Sequence, residues 1–194
     1  MQKQPDIQGA LHMTRFFICL FIALGLGVPA LADNHHAAPE LDLKTESALG
    51  NLPQTISLHG RIHMAGQPDE ATLASLKDQG FDMVINIRSP QEMTFDEQTI
   101  VTAQGLDYHN LPLMKDGAID DQAVTDIHQV IEASTGKKIL LHCSSGNRVA
   151  GWFGAHLARD MHMPPEEAIA TAKQAGLTKA SMEKILRSYL DSLK

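Results

Sequence analysis

Seven consecutive residues hold the most concentrated chemistry in the sequence: His142-Cys143-Ser144-Ser145-Gly146-Asn147-Arg148. They follow Lys138 to His142 (KILLH), a short aliphatic run that reads as a central strand. They precede Val149 to Leu157 (VAGWFGAHL), which is apolar almost all round, as a helix in a domain interior is. A strand-to-helix junction of this kind delivers Cys143 to the carboxyl edge of an open α/β sheet, where such domains bind ligands. Ser144, Ser145 and Gly146 are small enough for the chain to curl around the sulfur, so that their N–H groups and that of Asn147 can form an anion cradle. The positive end of the following helix points at the same place. Arg148 adds a planar fork suited to an oxyanion, and all these donors favour a thiolate over a thiol. His142 is expected to orient the loop rather than to act as a base. The alternative for Cys143 is a buried structural cysteine at a strand end.

Alternating elements must position this loop. Pro68-Asp69-Glu70 opens a helix that Gly80 stops. Met83 to Ile87 (MVINI) reads as a buried strand, Phe95 to Ala103 as a helix, and Tyr108 to Leu113 as a second strand. Lys115-Asp116-Gly117 is a turn, and Asp120 or Asp121 caps a helix with Val124, Ile127 and Ile131 on one face. Pro164-Pro165 starts another helix that Gly176 ends. Thr178 is expected to cap the last one, where Met182, Ile185, Leu186, Tyr189, Leu190 and Leu193 share a face. The expected fold is a single α/β domain over residues 54–194, with a central, mainly parallel sheet flanked by helices and a helical C-terminal part.

The loop resembles the nucleophile loop of the cysteine-dependent tyrosine and dual-specificity phosphatases. More narrowly, the chain is similar to the small bacterial phosphatase-like domains of beta-lactamase-hydrolase-like proteins and those found beside NAD kinases. The likeness extends from about Ile62 to the C-terminus. It includes Gly66-Gln67-Pro68, Val84-Ile85-Asn86-Ile87-Arg88 followed by Glu92, Tyr108-His109-Asn110-Leu111-Pro112-Leu113, and Ala175-Gly176-Leu177. The resemblance implies a phosphate-monoester hydrolase acting through a thiol-phosphate on Cys143. Arg148 and the residues Ser144, Ser145, Gly146 and Asn147 would hold the phosphoryl oxygens, with no cofactor. It also implies a general acid on an upstream loop, for which Asp116 is the first candidate and Asp120 and Asp121 the next. Arg88 is expected to stabilise the sheet edge or its neighbouring loop.

Two departures keep other readings open. Only Ser144, Ser145, Gly146 and Asn147 lie between Cys143 and Arg148, a loop of rhodanese length, one residue shorter than the usual phosphatase loop. Val149 stands where the phosphatase pattern has Ser or Thr. A sulfurtransferase working through a Cys143 persulfide is therefore the second reading, and a non-catalytic anion- or phosphoprotein-binding module the third. The Asp-x-Arg and Gly-His-Ile patterns of rhodaneses are missing.

Composition narrows the partners. The chain has 194 residues, a formal charge of −7, 43% hydrophobic and 20% charged residues. That supports one packed domain and offers no basic surplus for a nucleic-acid backbone. Phe16 to Val28 is an uninterrupted apolar run preceded by Arg15 and followed by Ala30-Leu31-Ala32. Residues 1–32 are thus expected to be a cleaved signal peptide, with Met13 a plausible true start. The expected location is the periplasm or the outside of the cell, without stable membrane insertion. Residues 33–53 read as a mobile leader. Cleavage would remove Cys19 and leave Cys143 as the one thiol, and it would expose Asp33-Asn34-His35, a weak square-planar Cu(II) or Ni(II) motif. No other metal site is expected.

Overall fold

A computed structural model describes residues 41–193, and everything below concerns those residues. The signal-peptide reading and the Asp33-Asn34-His35 motif lie outside them.

Six strands form one sheet. β1 (Leu43–Glu46), β2 (Thr55–Leu58) and β3 (Ile62–Ala65) are an antiparallel meander. β4 (Met83–Asn86), β5 (Asp107–Asn110) and β8 (Ile139–His142) join β3 in parallel, in the order β1-β2-β3-β8-β4-β5. The expected mainly parallel core is therefore present. The leader boundary at residue 53 needs correction. Residues 43–46 are the antiparallel edge strand, and Leu49 and Leu52 are buried in the core. The polar sequence LKTE gives little period-2 signal because an edge strand buries few of its side chains. β6 (Met114–Lys115) and β7 (Ala118–Ile119) form a separate small hairpin.

Every residue of β4 and β8 is buried, as expected for strands covered on both faces. Met83, Ile85, Ile139 and Leu141 pack with the group that includes α3 (Asp121–Ala133), α4 (Asn147–Arg159), α5 (Pro165–Gln174) and α6 (Ala180–Ser192). Val84 and Leu140 face the other way, with residues of α1 (Glu70–Ala74) and α2 (Glu97–Thr102). Helix starts follow local chemistry. Asp69, Asp96 and Asp120 each accept a backbone N–H of the first turn, of Thr72, Thr99 and Gln122 respectively. Thr178 does not cap α6. The cap position is Lys179, and the Thr178 N–H is bonded to Asn147 Oδ1 at 2.8 Å instead.

The register places the strand ends in a row. Ala65 is opposite His142, His142 opposite Asn86, and Asn86 opposite Asn110. The residues that follow, Gly66, Cys143, Ile87 and Arg88, thus leave the sheet along one carboxyl edge. α4 is held beneath that edge by close packing. A methyl group added at Gly154 would meet Leu186 Cδ2 at 2.8 Å, Ala172 Cβ at 3.0 Å and the Ala168 carbonyl at 3.3 Å. At Gly151 the nearest atoms all belong to the Met182 side chain, whose tip would lie 2.6 Å away.

Gly154→Ala is therefore expected to destabilise the domain by about 1–2 kcal/mol, overpacking outweighing the helix-propensity gain. Gly151→Ala should cost less, because a methionine tip moves easily. Urea unfolding of both variants checks this; equal midpoints would show that α4 is not tightly seated.

Candidate active site

β8 ends at His142, and Cys143 follows with its whole surface buried. The chain then turns through Ser144 and Ser145, both exposed, to Gly146. Gly146 has φ 82° and ψ −23° at the cap position of α4. That left-handed backbone is the reason for glycine here, since an added methyl would find its nearest neighbour, the Ala65 carbonyl carbon, at an ordinary 3.7 Å. The conformation aims the Gly146 N–H at Cys143 Sγ, 3.2 Å away. Cys143 N–H donates to the Ala65 carbonyl at 3.3 Å, and Gln67 N–H to the Ser144 carbonyl at 3.3 Å, so the segment after β3 buttresses the loop. The first-turn N–H groups of α4 have no intrahelical acceptor, which leaves them for an anion beside the sulfur.

Arg148 is the second residue of α4 and is half-buried. Its Nη1 and Nη2 donate to the two carboxylate oxygens of Glu92 at 2.7 and 2.6 Å, and Nη2 also to Ser144 Oγ at 3.0 Å. Nε makes no hydrogen bond among the described residues. The fork is thus oriented by Glu92, with three of its five N–H groups used in these bonds. The pair holds the Glu92 carboxyl down at about 2, first through the Arg148 hydrogen bonds and against some burial. The Arg148 pKa moves up, chiefly through Glu92 and, after the opposing effect of burial, through the Cys143 sulfur. Guanidinium and thiol are therefore close enough to interact.

A second carboxylate, Glu97, lies at the inner side of the strand ends and is 1% exposed. It receives hydrogen bonds from Asn86 Nδ2 and Gln67 Nε2, both at 2.7 Å, and from the Tyr108 hydroxyl at 3.4 Å. Arg88 Nη1 is 3.5 Å and His142 Nε2 is 3.2 Å from its oxygens. The His142 contact has ion-pair distance without hydrogen-bond geometry, so neither ring nitrogen has a hydrogen-bonding partner among the described residues. Burial alone would raise the Glu97 pKa, but His142, Gln67 and Arg88 outweigh it and hold the carboxyl below its ordinary value. Arg88 also donates to Gln67 Oε1 and to the Glu92 carbonyl. It links the buried carboxylate to the segment carrying Glu92, which agrees with its expected bracing of the sheet edge and neighbouring loop.

The sequence-predicted residues separate into two groups. Cys143, Ser144, Ser145, Gly146 and Arg148 converge at the carboxyl edge. Asn147 is there too, but its side chain faces the frame: Oδ1 accepts Thr178 N–H at 2.8 Å and Lys179 N–H at 2.7 Å. Only its backbone is left for a ligand. Asp116 is not brought to the sulfur by any contact among the described residues. With φ 50°, followed by Gly117 at φ 80°, it forms the two-residue turn between β6 and β7, the backbone that Asp-Gly favours. Asp120 is a helix cap. Asp121 accepts from the Tyr189 hydroxyl at 2.5 Å and from Arg159 Nη1 at 3.1 Å. Glu97 is absent from the sequence reading. As the residue immediately after a capping Asp it looks like an ordinary surface acid of a first helical turn, and its partners are scattered from Gln67 to His142.

No family model matches the chain, and no curated protein matches it. Solved structures do. A DUF442 protein from Shewanella putrefaciens CN-32 is 18% identical, with 78% of this chain and 88% of that one covered and a TM-score of 0.54. The active form of Tk-PTP is 20% identical, with 68% and 92% covered and a TM-score of 0.56. TpbA of P. aeruginosa in complex with pTyr is 13% identical, with 75% and 87% covered and a TM-score of 0.57. At these identities the likeness establishes the fold: a mixed α/β domain shared with the tyrosine-phosphatase structures, as the resemblance of the loop implies.

The Glu92–Arg148 pair yields a pH test. Because the folded-state pKa is depressed from 4.5 to about 2, its stabilisation is complete above pH 4.5 and disappears as the pH falls through about 2. Glu92→Gln should cost about 1 kcal/mol at pH 7, a figure that allows for solvent screening of this exposed carboxylate, and much less at pH 2. Denaturant unfolding at both pH values decides; an equal cost at both would assign Glu92 a role independent of its charge.

Proposed function

We propose that this protein is a cysteine-dependent phosphatase. The observation that carries the reading is the Gly146 N–H directed at Cys143 Sγ at 3.2 Å, at the start of the helix that bears Arg148. The sulfur attacks phosphorus, forming an S–P bond while the P–O bond to the leaving group breaks. The loop N–H groups and Arg148 stabilise the charge on the transferring oxygens. A proton reaches the leaving oxygen from a general acid. Water then attacks phosphorus, the S–P bond breaks, and inorganic phosphate and thiolate are released. Cys143 has no exposed surface, so side chains over the sulfur must move aside before a substrate can reach it.

Asp116 is the proposed acid because its side chain forms no hydrogen bond or ion pair among the described residues, and the groove it lines adjoins, at Ser181 and Ile185, the hollow that Arg148 lines. Export rests on the apolar run Phe16 to Val28 and Ala30-Leu31-Ala32; a mature chain beginning at Asp33 is the expected result of amino-terminal sequencing, and an intact Met1 or Met13 terminus would refute it. The four-residue spacing between Cys143 and Arg148 supports sulfur transfer as a second reading.

Aryl phosphates should be hydrolysed by the protein and not by Cys143→Ser. Asp116→Asn should slow esters of poor leaving groups by about 100-fold and leave esters of good ones nearly unchanged. A variant equally slow on both would remove Asp116 from the acid role. Turnover that survives Cys143→Ser, or no turnover alongside a gain of one sulfur atom after thiosulfate treatment, would overturn the phosphatase reading.

A further inference from the structure

A cavity lies between the β6–β7 hairpin and α6 rather than over the sulfur. It is a groove of about 640 Å³ between the β6–β7 hairpin, at Asp116, Gly117 and Ala118, and the outer face of α6, at Ser181, Lys184 and Ser188. Ser181 and Ile185 also line a smaller hollow of about 170 Å³ whose other walls are Ser144, Ser145, Arg148 and Lys179. The two spaces share Ser181 and Ile185, so the groove along α6 adjoins the hollow that Arg148 lines.

Helix α6 presents that groove with a consistent chemistry. Its buried side is Met182, Leu186, Tyr189 and Leu190. The opposite side carries Ser181, Lys184, Ser188 and Ser192 at spacings of three and four, a polar stripe about 16 Å long. The cations nearby divide sharply. Lys173 pairs with Glu183, and Arg187 pairs with Glu166 and Glu183, away from the groove. Lys179 and Lys184, which line the groove and the hollow, have no ion pair or side-chain hydrogen bond among the described residues, and Asp116 is the one carboxylate lining either space. In a chain of net charge −7, Lys179 and Lys184 outnumber the single unpaired carboxylate, Asp116, so the two adjoining spaces carry a small local positive excess. The stripe's length matches about five residues of extended peptide.

We infer that the groove between the β6–β7 hairpin and α6 binds the peptide flanking a phosphorylated residue, with Lys179 and Lys184 selecting acidic side chains in that flank. This rests on the phosphatase reading: the phosphoryl group lies at Cys143 and Arg148, and the leaving chain runs along α6 past Ser181 and Lys184. The two lysines are specificity residues and touch no reacting atom.

The test uses the full chain with two phosphotyrosyl peptides, identical except for acidic or neutral flanks, and with a small aryl phosphate. The acidic peptide should have the higher kcat/KM. The Lys179→Gln/Lys184→Gln double variant should reduce the acidic-to-neutral ratio about fivefold, the range of two solvent-screened ion pairs. Added salt should do the same, with aryl phosphate turnover unchanged. An unchanged ratio with normal aryl phosphate turnover overturns the groove assignment and leaves the phosphatase reading intact. A polyphosphorylated small molecule that outcompetes the acidic peptide and loses its advantage in the double variant overturns the peptide assignment. If no phosphate ester is hydrolysed, the phosphatase reading falls, and binding of the same two peptides to Cys143→Ser and to its double-lysine derivative decides the groove: a preference lost with the lysines supports it, and equal binding refutes it.

Discussion

The backbone at Gly146 is the constraint from which the site follows. A strand that runs directly into a helix must reverse direction within a few residues, and here four residues after His142 suffice because one of them adopts φ 82°. That left-handed step turns an amide that would otherwise face solvent toward the Cys143 sulfur, and it starts α4 with its unpaired N–H groups on the same side. A residue with a side chain would find space at this position but would resist the backbone angle. The chemistry is therefore bound to a conformational property of one residue, and the packing of α4 beneath the sheet fixes where that conformation points.

Two carboxylates divide the work of holding the cationic side of the site. Glu97 is fully inside and ties the ends of β4 and β8, together with Tyr108 of β5, to the residues after β3. A buried charge with so many partners is costly to disturb, so it serves the frame. Glu92 is at the surface and meets the Arg148 fork in parallel. Its hold is weaker and more exposed to solvent. Arg88 connects the two, bonding Gln67 beside Glu97 and the Glu92 carbonyl. Arg148 is consequently set by an exposed acid whose own backbone is anchored to a buried network.

Much of this was legible from residue order. The aliphatic run before His142, the small residues after it and the apolar helix beyond are local signals, and the structure has them as β8, loop and α4. The Asp69, Asp96 and Asp120 caps are local as well. What the sequence did not disclose depends on distance along the chain. β1 is polar because it is an edge, so its place in the sheet is visible only once β2 is beside it. Asn147 reads as part of an anion cradle, yet its carboxamide serves residues more than thirty positions away. Glu97 has the composition of a surface acid, and only the row of strand ends makes it central. Asp116 shows the converse: an Asp-Gly pair is both a hairpin turn and a candidate acid, and the hairpin geometry accounts for the residue without the chemistry.

The central claim is a covalent bond between phosphorus and one sulfur. Rapid acid quench of a single turnover with a ³²P-labelled aryl phosphate, followed by peptide mapping, tests it most directly. The account predicts label on the peptide containing Cys143, decaying as inorganic phosphate appears. Label on any other residue, or turnover in which no labelled protein ever forms, would contradict it.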